Sequence, residues 1–130
     1  MLSSAKLVAF VPTTDGEKAK TFYVDVLGLR FVSDDQFALV LDANGTTVRV
    51  SKVPGFIPHK FTVLGWEVAD IEKVVVELRE KGVNFENYGL PAQDERGIWQ
   101  APVVDNATAG AQVAWFKDPD GNVLSVTQFK

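Results

Sequence analysis

The chain has 130 residues, of which 46% are hydrophobic and 23% charged, with a net charge of −4 and no cysteine. This length predicts one compact unit with a real core, and the composition is ordinary for a soluble globular protein. The acidic balance excludes nucleic acid as an expected partner, because phosphate binding needs clustered lysine and arginine. The absence of cysteine excludes disulfides and thiolate chemistry. No apolar run could span a bilayer and the N-terminus is a poor signal peptide, so we expect no membrane partner and a cytoplasmic location.

The first half of the chain is predicted to contain a strand, a helix and three more strands. After the strand KLVAFVPTT, Asp15 is a good helix N-cap, and apolar side chains at helical spacing continue to a stop at Gly28. The strand GLRFV follows the helix. Two further strands, at 37–41 and 46–53, flank Asn44-Gly45, which is a favoured hairpin turn.

The second half repeats this order. KFTVLGWEVA is the predicted strand, and the helix after it begins at the N-cap Asp70 and ends at Gly82. Asp70 follows Asp15 by 55 residues, and Gly82 follows Gly28 by 54 residues. The strand GVNFE comes next, and strands at 112–116 and 122–129 flank the turn Asp118-Pro119-Asp120-Gly121. The two halves have the same order of elements and nearly the same spacing over roughly 25 residues, which indicates an internal duplication.

Two segments have no place in the repeat. PGFIPHK, residues 54–60, contains two prolines and a glycine and is predicted to link the halves. Residues 89–110 are rich in Pro, Asn, Asp and Gly, which predicts a loop. A loop of that length is unusual unless it has a function or packs on itself.

One helix can cover only one face of each predicted sheet. In residues 46–51, Val48 and Val50 point one way and Arg49 the other, and the same alternation separates Ser125 from the core side chains of its strand. The face away from the helix must be covered by something else or form a concave pocket.

Three segments carry a likeness to known proteins: FYVDVLGLRF (22–31), GWEVADIEKVVVELREKGVNF (65–85) and FKDPDGNVLSV (116–126). Together they resemble the vicinal oxygen chelate superfamily, which includes glyoxalase I, extradiol dioxygenases, and fosfomycin and bleomycin resistance proteins. The resemblance implies an α+β fold of two βαβββ modules that form a glyoxalase-like fold around a U-shaped cavity. We therefore expect a single glyoxalase-like domain over residues 1–130, with module 1 at about 5–53, a linker at 54–60 and module 2 at about 61–130.

In metal-dependent members of the superfamily, the first and last strands of each module supply carboxylate, histidine or glutamine ligands. The resemblance puts these four positions at Val8, Arg49, Val63 and Ser125. Valine offers no ligand atom, a guanidinium repels a cation, and a serine hydroxyl alone is a weak ligand. The single histidine, His59, lies in the linker without a second histidine nearby. We therefore expect no metal and no cofactor.

The predicted concave face offers candidates for ligand binding. They are Val8, Phe10, Arg49, Val63, Glu67, Trp99, Ser125 and Thr127. Arg49 could grip a carboxylate or phosphate, and a partly buried Glu67, the one candidate for catalysis, could act as a base. The simpler interpretation, which we favour, is that Arg49 and Glu67 pair with each other or reach solvent at the opening of the cavity.

The three tryptophans are assigned by their surroundings. Trp99 lies in the long loop, where it could cover the cavity and stack on a flat ligand, or fill a gap in the core or at a subunit contact. Strand alternation predicts that Trp66 and Trp115 point toward the helices.

Three functions remain open at this point. The residues favour a metal-independent small-molecule-binding protein, as bleomycin resistance proteins are. The alternative is a glyoxalase-like or dioxygenase-like enzyme, a lyase or oxidoreductase, acting on a small oxygenated substrate. A third is an interaction module with a filled cavity. The resemblance also implies a homodimer.

Overall fold

The computed structural model describes residues 1–102 and 110–129, and the chain divides into two compact units, Met1–Pro58 and His59–Lys130. Each unit has one four-stranded mixed sheet. In the sequence of each unit, the helix lies between the first and the second strand of that sheet. This confirms the predicted α+β class with two βαβββ modules. No helix in the described part of the chain is long and apolar enough to cross a membrane.

Unit 1 contains strands β1 (Val8–Thr13), β2 (Arg30–Asp34), β3 (Ala38–Ala43) and β4 (Thr46–Lys52) in the sheet order β1-β4-β3-β2. β1 is parallel to β4, and the other pairs are antiparallel. Helix α1 (Gly16–Lys20) begins at Asp15, whose carboxylate accepts the Lys18 N–H at 3.2 Å, and it continues as a π-helical segment over Thr21–Val26. Buried side chains of β1, β3 and β4 form the core on the helix side: Val11, Leu39, Leu41, Val48 and Val50.

Unit 2 contains strands β5 (Thr62–Glu67), β6 (Trp99–Gln100), β7 (Gln112–Lys117) and β8 (Val123–Gln128) in the order β5-β8-β7-β6. β5 is parallel to β8. Helix α2 (Ile71–Glu80) begins at Asp70, which caps the Lys73 N–H at 3.2 Å. Ala114, Phe116, Leu124 and Val126 are buried with Ile71 and Val75 of the helix. The two N-caps are therefore confirmed at the predicted residues.

Two predicted features of unit 2 differ in the structure. The segment GVNFE is not a strand but contributes one bridge, between Phe85 and Phe116. The predicted loop at 89–110 contains β6, and residues 103–109 of it lie outside the described part of the chain. Between residues 86 and 98, several backbone groups are satisfied by the side chains of Gln93 and Asp94 rather than by a strand ladder.

The turn between β7 and β8 is built around a buried carboxylate. Asp118 accepts hydrogen bonds from the backbone N–H of Asp120 and of Asn122, each at 2.9 Å, and from the Asn122 side-chain amide at 2.8 Å. In the corresponding turn of unit 1, Asp42 accepts one longer bond, from the Gly45 N–H at 3.3 Å.

We predict that Asp118→Ala lowers the free energy of unfolding by about 3 kcal/mol, because three donors lose a charged acceptor in a buried turn. Asp42→Ala should cost less than about 1 kcal/mol, since its carboxylate is more exposed and its ion pair with Arg30 is long. Urea unfolding of the two variants measures the difference. Equal costs would show that the buried bonds do not hold the turn.

Candidate functional site

In each sheet, strand residues that pair in register point to the same face, so the pairing identifies the side chains beside each candidate. On the face of unit 1 away from the helix, Arg49 of β4 lies between Phe10 of β1 and Val40 of β3. In the next row, Val8 pairs with Thr47. Phe10 is 62% exposed and Val8 39%, so these apolar side chains are not covered by the core.

Arg49 is the cation at the centre of this face. Its charge helps to lower the pKa of Asp35, although the backbone N–H groups of Ala38 and Phe37 are the main cause. Over residues 1–102 and 110–129, no carboxylate forms an ion pair with Arg49. The neighbouring Lys52, in contrast, is paired with Asp34. A half-buried guanidinium without a salt bridge is suited to recognising an anion.

On the corresponding face of unit 2, two rows cross the sheet. Ser125 of β8 lies between Gly65 of β5 and Trp115 of β7. The second row consists, in order across β5, β8, β7 and β6, of Glu67, Thr127, Val113 and Trp99. Glu67 is exposed at the end of this row, and its role as a base stays a prediction.

Trp115 was assigned to the wrong face. The sequence analysis placed it toward the helix, whereas it lies beside Ser125, and Ala114 and Phe116 point into the core instead. The alternation could not show this, because Val113 to Phe116 are four apolar residues in succession. Trp66, paired with the core residue Val126, lies on the core side as predicted.

The four positions implied by resemblance carry side chains that are poor ligands for a metal. Val8 and Arg49 lie on unit 1, Val63 falls at an irregularity of β5, and Ser125 is 7% exposed. Ser125 occupies space that Gly65 leaves free, since a Cβ at Gly65 would stand 2.6 Å from the serine Oγ. No group of three or more His, Cys, Asp or Glu side chains suited to a metal occurs among the residues the structure describes. The donor set therefore does not fit a divalent ion.

His59 does not belong to either face. It is exposed and stacks on Phe61, with ring centroids 4.7 Å apart. The stacking on Phe61 is the contact of a histidine that packs within a loop.

An aromatic cluster lies beside Ser125. The Trp115 ring packs against Trp99 at 5.8 Å with a 36° tilt and against Tyr88 at 5.5 Å in an edge-to-face arrangement. The Trp99 indole N–H donates to the Pro91 carbonyl at 3.0 Å. Burial raises the pKa of Tyr88, and the negative charge of Glu86 adds to the effect. Tyr88 therefore stays a neutral hydrogen-bonding phenol at physiological pH.

Unit 2 contains an apolar cavity of about 350 Å³ next to this cluster. Its lining is formed by Trp99, Ala101, Pro102, Ala111, Val113, Thr127 and Phe129. Among the lining residues that the structure describes, the polar side-chain groups are the Thr127 hydroxyl and the Trp99 indole N–H, which already donates to Pro91, and none of these residues is charged. Such a cavity accepts an uncharged hydrophobic group and offers one hydrogen bond.

The predicted candidates thus fall into separate groups. Val8, Phe10 and Arg49 share the exposed face of unit 1, while Glu67, Trp99, Ser125 and Thr127 share that of unit 2. Of these, Trp99 and Thr127 line the cavity. The prediction missed Val113, which the unbroken apolar run at 113–116 concealed, and Phe129, for which the position two residues after Thr127 was the available signal.

Comparisons with known proteins agree with this fold. The model of the Glyoxalase/Bleomycin resistance protein/Dioxygenase superfamily matches residues 6–126. No curated protein matches the sequence significantly. A solved structure of a superfamily member from Sphaerobacter thermophilus DSM 20745 is 26% identical, with 99% of this chain and 100% of that chain covered and a TM-score of 0.74.

Two further structures show the range of the relatives. TnmS3, an antibiotic binding protein from Streptomyces sp. CB03234, is 25% identical over 100% of this chain and 99% of its own, with a TM-score of 0.71. A glyoxalase family protein from Enterococcus faecalis is 20% identical over 98% and 99%, with a TM-score of 0.68, which shows the fold alone. Because the family model covers nearly the whole sequence, the chain belongs to the glyoxalase/bleomycin resistance protein/dioxygenase superfamily.

Proposed function

We propose that this protein is a metal-independent small-molecule-binding protein of the glyoxalase/bleomycin-resistance type. The observation that carries the proposal is the apolar cavity of unit 2, bordered by Trp99 and Phe129 and containing one hydroxyl, that of Thr127. A similar protein that is named as antibiotic binding supports a binding role.

The chemistry of the lining favours binding over catalysis. General acid–base catalysis needs a titratable side chain within hydrogen-bond reach of the reacting atom. The described residues that line the cavity are Trp99, Ala101, Pro102, Ala111, Val113, Thr127 and Phe129, and none of these side chains titrates near neutral pH. They can desolvate and orient a ligand, which is what a binding protein requires.

We predict that Trp99→Leu weakens binding of the planar probe 2-naphthol about tenfold, because the variant keeps an apolar side chain but loses the ring that stacks. Isothermal titration calorimetry measures the affinity without relying on tryptophan fluorescence. Trp66→Leu is the matched control, since Trp66 lies on the core side of its strand. Its affinity should stay within about twofold of the original. Equal losses of 2-naphthol affinity in the two variants would show that Trp99 does not contact the ligand.

Metal independence is tested on protein purified without chelator, by elemental analysis and native mass spectrometry of one sample. We expect no stoichiometric Zn, Fe, Mn or Ni, because Val8, Arg49, Val63 and Ser125 supply no adequate ligand set. A retained organic mass would identify the ligand class. One metal ion per chain would contradict the proposal and favour the glyoxalase-like or dioxygenase-like enzyme, a lyase or oxidoreductase.

Arg49 is proposed as a recognition element of unit 1, separate from the cavity of unit 2, for ligands that carry an anionic group. Arg49→Ala should weaken binding of 2-naphthoate to this face of unit 1 about tenfold, because the variant loses the charge-assisted pair with the carboxylate. Arg30→Ala is the control, since that side chain is 70% exposed and already pairs with Asp42. If the naphthoate affinity of Arg49→Ala equals that of the control, Arg49 does not contact ligand.

We further propose a cytoplasmic homodimer. The absence of cysteine suits a reducing compartment, and exposed apolar side chains such as Phe10 and Phe37 support pairing between copies. Multi-angle light scattering of the purified protein gives the mass that decides between a monomer and a dimer.

A further inference from the structure

The side-chain amide of Gln93 is the hydrogen-bonding centre of the segment at 86–98. Its Oε1 accepts from the backbone N–H of Tyr88 at 2.9 Å and, at 3.4 Å, of Leu90. Its Nε2 donates to the carbonyls of Glu86 at 3.0 Å and Gly97 at 3.1 Å. An amide side chain has two donor hydrogens and an oxygen with two lone pairs, so every position is used.

These bonds fix the strand that carries Trp99. Gln93 also forms a backbone bridge with Trp99, and the Gln100 N–H donates to the Ala92 carbonyl at 3.1 Å. The Trp99 indole N–H is bound by Pro91, which lies between Tyr88 and Gln93 in the same segment. The indole is therefore anchored to the segment that Gln93 organises.

Asp94 joins the same segment to helix α2. Its carboxylate accepts from the N–H groups of Ile98 at 3.0 Å and Arg96 at 2.9 Å. The Arg96 guanidinium binds Asp94 at 2.7 Å and Glu72 of α2 at 3.2 Å. At Gly97, whose φ is +93°, a Cβ would stand 3.0 Å from the Phe85 Cβ, so the chain passes close to its neighbour there. The bonds of Asp94 and Arg96 therefore tie the segment at 86–98 to helix α2.

We propose that Gln93 is a positioning residue that holds Trp99 as a rigid wall of the cavity, so that the site selects planar aromatic rings over saturated rings of the same size. A fixed flat wall makes full contact with a planar ring but touches a puckered ring at a few atoms only. A wall that needs no rearrangement also costs no ordering entropy on binding. This inference rests on the proposed binding function of the cavity.

The ligand class is tested with two probes that share one carbon skeleton. 2-Naphthol is planar and decahydro-2-naphthol is puckered, and each carries one hydroxyl that can reach Thr127. We expect calorimetry to show at least about tenfold tighter binding of 2-naphthol to the unmodified protein. Equal affinities would overturn the inference and leave the binding function intact. Binding of neither probe would overturn the proposed function of the cavity, and the inference with it.

The role of Gln93 is tested with Gln93→Glu, which keeps the shape but exchanges the NH₂ for an acceptor. The new carboxylate keeps the oxygen that accepts from Tyr88 and Leu90, but its second oxygen faces the carbonyls of Glu86 and Gly97, which repel it. Protonation as the pH falls restores one donor at that oxygen. We expect the ratio of the 2-naphthol affinity to the decahydro-2-naphthol affinity to approach one at pH 8 and to be higher at pH 5.

Gln100→Glu is the matched control, since Gln100 makes one long bond, to the Ala111 carbonyl at 3.4 Å, and does not bind the segment at 86–98 through its side chain. The ratio of the 2-naphthol affinity to the decahydro-2-naphthol affinity of Gln100→Glu should equal that of the unmodified protein at both pH values. If Gln93→Glu lowers the melting temperature but keeps the ratio, the role of Gln93 is structural and the positioning role is wrong.

A third measurement needs no substitution and covers the case in which Gln93→Glu does not fold. Hydrogen exchange of the unmodified, ligand-free protein should show slow exchange at the Tyr88 and Ile98 amides, because both N–H groups are bonded before any ligand arrives. Exchange at the rate of an unstructured peptide would show that the wall is not preassembled and would overturn the inference.

Discussion

A single amphipathic helix lies against each four-stranded sheet, and it can cover only one face. Val11, Val48 and Val50 of unit 1 and Phe116, Leu124 and Val126 of unit 2 are buried on the helix side. The opposite faces hold exposed or half-buried side chains, among them Phe10 and Arg49. Since burial of the helix-side face supplies the core, the residues of the opposite face are largely free to change without loss of the fold.

This division explains how the fold is kept when the four positions implied by resemblance carry Val8, Arg49, Val63 and Ser125. These positions alternate with core residues along their strands, so their side chains can vary without removing a core contact. The chemistry of a site on that face is decided by its side chains rather than by the architecture. In the described part of the chain, the side chains supply an aromatic cluster and an apolar cavity on one unit and, on the other, the Arg49 guanidinium, which forms no ion pair with a described carboxylate.

Local sequence signals predicted the elements that have local causes. Asp15 and Asp70 cap the helices, Gly28 and Gly82 follow them with positive φ, and Asn44-Gly45 makes the first hairpin turn. Each signal acts within a few residues along the chain, so one sequence is enough to detect it. The duplication and the class of fold followed from these elements.

The site was predicted less completely, because its causes are not local. Trp115 was assigned to the wrong face since the apolar run at 113–116 has no alternation to read. The segment at 86–98 is ordered by side-chain bonds from Gln93 and Asp94 to backbone groups two to seven residues away, and such bonds leave no periodic pattern. Val113 of the cavity lining was not identified because it belongs to the apolar run at 113–116.

The close approach of Gly65 and Ser125 has an evolutionary consequence. The serine Oγ stands where the first carbon of any larger side chain at position 65 would lie, so the two positions share one small volume. A side chain at position 65 requires the Ser125 hydroxyl to rotate away or position 125 to become smaller, because the nearest Ser125 backbone atom is already in ordinary contact at 3.4 Å. The two positions are therefore epistatic, since the effect of a substitution at one depends on the residue at the other.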